Sequence, residues 1–335
     1  MSGLSLGDLA QSFMLQRRGA DLKAEMSRLN AELTSGQVSD VKAVLAGNVS
    51  YLTDIENDLN TLGGFKIATA EAAQFADATQ ISLERIYDTT SSLSTAILTA
   101  SASAVGPVLE QISVDAENDL DAIVSALNTS SGGRSLFAGT ATNSAAMSNA
   151  DTILSALRSA TAGAQSPDAL IDAADTWFDD PAGFSATMYQ GSDQTLAPLR
   201  VSDTDTVTMD TTADAEEFRA LIRSVALTAI ASDPSFGFSG DSIREVFSET
   251  GKRLFENQAD LTALQANVGS AQERIETIAT RNATEETTLA FAKGALLQAD
   301  PYETATKLEE VQFQLQSLYT VTARMSDLSL VNFIR

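Results

Sequence analysis

Apolar residues at both ends of the chain recur every three or four positions, the spacing of one helical face. Near the N-terminus Leu15, Gly19, Leu22, Met26, Leu29 and Leu33 lie 4, 3, 4, 3 and 4 residues apart. Arg17, Arg18, Lys23, Glu25, Arg28 and Glu32 fill the other faces. Thr34-Ser35-Gly36 should end this helix, because glycine is the residue best suited to the position just past a helix. A second helical run begins near Val41 and follows Leu52, Ile55, Leu59 and Leu62 to Gly63-Gly64, where a break or kink is expected. Ala73, Ala76, Leu83 and Tyr87 keep the rhythm, and Ile86, Leu93, Ile97 and Val105 extend it. Gly106-Pro107 should kink or end the helix, since proline removes a hydrogen bond and clashes one turn back. Leu109, Ile112, Ala116, Ile123 and Ala126 then carry a further helix to about Asn128.

The C-terminal part holds the longest pattern. From Leu261 through Leu264, Val268, Ala271, Ile275, Ile278, Asn282, Glu285, Leu289 and Ala292 to Leu296 the spacing alternates 3 and 4, and nine of the eleven positions are apolar. A repeat near 3.5 residues marks helices that wind around one another. At about 1.5 Å per residue this run is on the order of 50 Å long. Asp300-Pro301 interrupts it, and a last helix carries Leu308, Val311, Leu315, Leu318 and Met325 on one stripe with Leu328 beside it.

The middle is different. Residues 149–245 hold 16 acidic and 5 basic residues, four of the six prolines and the single tryptophan, Trp177. Leu196 to Val201 and Thr206 to Met209 read as short strands, and Ile153 to Ala160 and Phe218 to Ala229 as flanking helices. The predicted fold is mainly α: an elongated helical bundle or coiled coil formed by the N- and C-terminal halves, with a small α+β domain inserted in the middle. The boundaries expected are 1–40 for an N-terminal assembly helix, 41–140 and 246–299 for the two halves of the bundle, 141–245 for the inserted domain and 300–335 for a C-terminal assembly helix.

Composition narrows the function. The 335 residues are 44% hydrophobic but only 6% aromatic, which fits close helix packing better than a deep substrate pocket. A net charge of −24 opposes binding to nucleic acid or an anionic membrane surface. Cysteine and histidine are absent, so there is no disulfide, thiolate metal site or imidazole base. Met1 to Leu22 lacks a basic start followed by an apolar run, so no cleaved signal peptide is expected, and no apolar stretch is long enough to span a bilayer.

A narrow stripe leaves a lone helix marginal in water. The terminal stripes are therefore expected to be assembly elements: Leu15, Leu22, Met26, Leu29 and Leu33 at one end, Leu308, Val311, Leu315, Leu318, Met325 and Leu328 at the other. The plain alternative is one self-contained bundle whose ends close its own core.

Leu29-Asn30-Ala31-Glu32-Leu33-Thr34-Ser35-Gly36-Gln37 and the run from Ala305 to Tyr319, ending in Asp327-Leu328-Ser329-Leu330-Val331-Asn332-Phe333-Ile334, resemble the bacterial flagellin family. Gly133-Arg134-Ser135-Leu136-Phe137-Ala138-Gly139-Thr140 resembles that family's turn from the first helical half to the outer domain, and Tyr189-Gln190-Gly191-Ser192 the start of that domain. The resemblance spans roughly the first 140 and last 90 residues, with the middle matched only in layout. The ending is closer to the family's hook–filament junction members than to its filament subunits. Two features depart from the family: Gln37-Val38-Ser39-Asp40 lacks the proline of the usual turn, and Gly106-Pro107 falls where an unbroken helix is the rule. The resemblance implies a structural subunit of the extracellular flagellum, exported without a cleaved signal peptide. It implies a junction adaptor between hook and filament or, alternatively, a flagellin filament subunit. Its partners would be further copies of itself, the hook-side junction protein, flagellin and an export chaperone, and it would use no cofactor. A soluble helical signalling or scaffold protein of the cytoplasm is the rival from another class.

Enzyme motifs are fragmentary. Ser39-Asp40-Val41-Lys42 spells Ser-x-x-Lys without its companion motifs. Gly237-Phe238-Ser239-Gly240 is not a nucleophile elbow, and Thr250-Gly251-Lys252 lacks the upstream glycine of a phosphate loop. Asp203, Asp205 and Asp210 lack the central glycine and terminal glutamate of a calcium loop, and Asp179-Asp180 before Pro181 reads as a turn.

Overall fold

The computed structural model describes residues 6–45 and 49–333, with the side chains of residues 10–45 and 49–325. Helix α1 (Leu6–Ser35) stops at Gly36, whose φ of 69° lies in the left-handed region. Asp40 accepts from the Ala43 N–H to start a single turn, α2 (Val41–Val44). Helix α3 (Ser50–Ser103) ends before Val105, and Pro107 sits in the first turn of α4 (Gly106–Leu127), where its missing N–H costs nothing. A tight hairpin pairs β1 (Ser130–Ser131) with β2 (Arg134–Ser135) across Gly132 and Gly133, both at positive φ. Asn149 caps α5 (Ala150–Ala160), and Ser166 with Pro167 opens α6 (Pro167–Asp179). After α7 (Phe184–Met188), strand β3 (Leu199–Arg200) pairs antiparallel with β4 (Thr206–Val207). Helix α8 (Glu216–Ile230) and a 3-10 turn at Pro234–Phe236 lead into α9 (Gly240–Leu297). Asp300 accepts from the N–H groups of Tyr302 and Glu303 to cap α10 (Pro301–Phe333).

The chain is mainly α, with a small strand-containing region in the middle. Several local expectations need correction. Gly63-Gly64 does not end α3, because an interior glycine costs about 1 kcal/mol and the flanking helix easily outweighs it. The strands are two residues each, shorter than the apolar runs, since the next residue of the first run, Val201, turns into the core. Val105 is exposed rather than part of the α3 stripe, as it lies past the helix end. Asp179 closes α6 instead of sitting in a loop.

The chain forms two compact units, Met1–Leu62 with Thr284–Arg335, and Gly63–Ala283. The second unit holds the main core. Helix α8 is its hub, with Phe218, Leu221, Ile222, Val225, Leu227 and Ile230 all buried. The predicted α9 stripe faces this core through Leu261, Val268, Ile275 and Ile278. Its polar member Asn282 is also buried, and donates from Nδ2 to the Val201 carbonyl oxygen at 3.0 Å. A chain of hydroxyls crosses the same core: Thr228 Oγ1 donates to Thr250 Oγ1 at 2.9 Å, and Ser113 Oγ donates to the Thr228 carbonyl at 2.9 Å. These buried groups satisfy one another, which removes the penalty of burying them.

The two sequence motifs at the start of the inserted region meet in space. Ser192 N–H donates to the Ala138 carbonyl and Thr140 N–H to the Gln194 carbonyl, with Thr140 Oγ1 and Ser192 Oγ 2.8 Å apart. Gly139 makes this possible. Its φ is 57°, and a Cβ there would lie 2.4 Å from the Gln194 carbonyl oxygen. Phe137, fully buried, stands edge-on to Phe218 at 5.6 Å.

Candidate assembly interface

Within the first unit, the stripes expected at the two chain ends face each other. Leu22 and Leu29 of α1 and Leu308 and Val311 of α10 form one buried cluster, bordered by half-buried Met26, Leu315 and Leu318. Gly19 lets the helices approach closely: a Cβ there would lie 3.3 Å from Leu318 Cδ2. Leu15 and Met325 are half-buried further along, with the Gln11 side-chain amide 3.9 Å from Met325 Sδ. Leu33 is 41% exposed and lies outside the cluster, because α1 ends two residues later. Leu328 falls in α10, but its side chain lies outside the described residues.

Polar contacts frame this seam. Arg28 pairs with both Glu25 and Glu32. The Arg28 hydrogen bond holds the Glu25 carboxyl below the ordinary carboxylate value, and the same contact raises the guanidinium of Arg28. Glu32 is buried and also accepts from the Ser39 N–H at 2.9 Å, so it fastens the α1 end to the following turn. Arg18 reaches Gln314 at 3.3 Å, and the Lys23 ammonium lies 5.7 Å from the Tyr319 ring centroid. The connectors behind the two helices are paired by backbone. Val38 N–H donates to the Leu297 carbonyl and Ala299 N–H to the Gly36 carbonyl, both at 2.9 Å.

Only four side chains are buried along this seam, between helices of 30 and 33 residues. Much apolar surface also stays uncovered, with Phe13 65%, Phe313 71% and Tyr302 83% exposed.

The fragmentary enzyme motifs have packing partners. Ser39 N–H is held by Glu32 and Asp40 is a helix cap, while Thr250 lies in the buried hydroxyl chain. Gly237 ends the 3-10 turn at a φ of 62°. Asp203 pairs with Arg200, Asp205 with Arg281, and Asp179 with Arg223. Among the described residues no group of three or more His, Cys, Asp or Glu is placed to hold a metal ion, and no helix is long and apolar enough to cross a membrane.

Residues 254–334 match the family model of the bacterial flagellin C-terminal helical region. No curated protein matches the chain. Among solved structures, the chain is similar to FlgL of Bacillus cereus at a TM-score of 0.52 and 15% identity, covering 72% of this chain and 99% of that one. It is also similar to a Vibrio parahaemolyticus protein described as a flagellar hook-associated protein, at a TM-score of 0.50 and 12% identity, covering 73% of this chain and 95% of that one. At these identities the likeness is one of fold.

Proposed function

We propose that this chain is a structural subunit of the bacterial flagellum that joins hook to filament, working through helix packing rather than chemistry. The observation that carries the reading is the α1–α10 pair. It joins the two terminal helices through four buried side chains, and leaves aromatic side chains in solvent. Neighbouring copies would cover that surface and add stabilisation. The fold likeness to FlgL, a hook–filament junction protein, and to a hook-associated protein supports the same assignment. Leu15, Leu22, Met26, Leu29 and Leu33 with Leu308, Val311, Leu315, Leu318, Met325 and Leu328 are the assembly residues on this reading. The partners are further copies, the hook-side junction protein and flagellin, with an export chaperone covering the C-terminal stripe before assembly. Export proceeds without a cleaved signal peptide, and the chain acts outside the cell in the flagellum.

Complementation tests this. In a strain lacking the gene, Leu315→Asp should be exported but should not restore filaments. Normal filaments with that variant would remove the terminal seam from the mechanism. The match of residues 254–334 to the flagellin C-terminal region favours a second reading, the filament subunit itself. Loss of a junction protein leaves hooks and releases flagellin monomer into the medium. Loss of the sole filament subunit leaves hooks and no released monomer.

A further inference from the structure

The second unit carries a hole and a knob that the terminal seam does not use. The hole is a cavity of about 230 Å³ where the β1–β2 turn and the segment around β3 meet α3. Phe75, Leu196, Leu199 and Met209 give it an apolar lining, with Arg134 and Glu71 at its polar side. The Arg134 guanidinium lies 6.0 Å from the Phe75 ring centroid, and neither Arg134 nor Glu71 makes an ion pair among the described residues. The knob is Phe255 on α9, 64% exposed. It is flanked by Glu256 and Lys252, both exposed.

We infer that Phe255 of one copy inserts into this cavity of a second copy, with Glu256 meeting Arg134 and Lys252 meeting Glu71. The size fits, because a cavity of about 150 Å³ already holds a benzene ring. Each site carries one charge of either sign, so the pairs Glu256–Arg134 and Lys252–Glu71 are complementary, and Lys252 would exchange its exposed 3.9 Å contact with Glu249 for Glu71. Arg134 is half-buried and has no carboxylate partner among the described residues. An aromatic seated in an apolar pocket beside a charge pair is the usual composition of an energetic anchor.

The two features cannot satisfy each other within one chain. The knob lies beside Ser91, Thr95 and Thr99 of α3, and the hole beside Glu71 and Phe75 of the same helix. From Phe75 to Ser91 and Thr99 is 16 to 24 residues, about 24–36 Å along a helix. A knob and a hole at different places on one molecule can join copies head to tail into a ring or a helical array, or pair reciprocally about a two-fold axis. Copies joined head to tail in parallel would be staggered by about 30 Å along α3. This contact goes beyond the terminal-helix reading and does not depend on it.

The test uses the full chain carrying Leu315→Asp, so that the terminal seam is disabled throughout, and reads sedimentation velocity up to millimolar concentration. The parent should self-associate. Phe255→Ala, which spoils the knob, and Arg134→Glu, which spoils the hole, should each weaken association at least about tenfold. Mixed one to one, these two variants should form a heterodimer and nothing larger, since each keeps the half that the other lacks. Arg134→Glu combined with Glu256→Arg in one chain should restore association, which separates a lost contact from a misfolded variant. A parent that stays monomeric, single variants that associate like the parent, or a mixture without heterodimer would each overturn the inference. None of these outcomes bears on the terminal seam, which the complementation experiment decides separately.

Discussion

Ser94 Oγ donates to the carbonyl oxygen of Gly251 at 3.1 Å, joining α3 to α9 across 157 residues of sequence. The contact needs a bare backbone at position 251. A Cβ there would lie 2.9 Å from Leu98 Cδ2 and 3.1 Å from Ile97 Cγ2. Gly251→Ala should therefore destabilise the second unit by about 1–3 kcal/mol through overpacking. Gly269 on the same helix has nothing within 4 Å of its Cβ position, so Gly269→Ala should stabilise by up to about 1 kcal/mol. Thermal melts of the two variants should move in opposite directions.

Asn282 is the buried polar member of the α9 stripe, and its bond to Val201 holds the β3 end against the helix. Asn282→Ala leaves the Val201 carbonyl buried without that donor. A loss of about 1–3 kcal/mol is expected in urea unfolding. An unchanged midpoint would mean that water replaces the amide.

Asp205 ties the β3–β4 turn to α9 through Arg281, with Ser202 and Thr204 as further donors. The Arg281 hydrogen bond is the main cause that lowers its carboxyl to about 2. A depressed carboxylate stabilises fully above its unfolded value, near 4, and that contribution fades as pH falls towards 2. The turn should thus stay fastened to α9 at pH 3. Following the Asp205 carboxyl by NMR titration should show protonation near pH 2 in the wild type, and nearer the ordinary value in Arg281→Gln.

Hydrogen exchange on the isolated monomer should rank the helices. The α8 amides, deep in the main core, should be protected most strongly, and those of α1 and α10 should exchange much faster because four buried side chains hold them. Equal protection would mean that the seam is self-sufficient, and assembly would then have no ordering to provide.

Much of this architecture was legible in residue spacing. The stripes of α1, α9 and α10 follow the three-four rhythm, and Gly36, Pro107 and Pro301 mark the ends as their backbone chemistry requires. The missed elements had local signals. Gly132-Gly133 is a hairpin turn pair, and Ser166-Pro167 is a helix start. Asn282 was harder, since a polar residue in an apolar stripe reads as a defect until its partner 81 residues away is known. Periodicity names a buried face but not what covers it. It could not say that Leu22 and Leu29 meet Leu308 and Val311 of the same chain, nor that Leu33 is left out.

The paired connectors at Gly36–Val38 and Leu297–Ala299 have a mechanical consequence. Tension on either terminal helix should be passed to the opposite connector through two amide-to-carbonyl links, so the ends would share load like the arms of a yoke. Main-chain groups alone form this coupling, and most side-chain exchanges there should leave it intact. An imino acid at Val38 or Ala299, which removes a donor, would cut one of the two links.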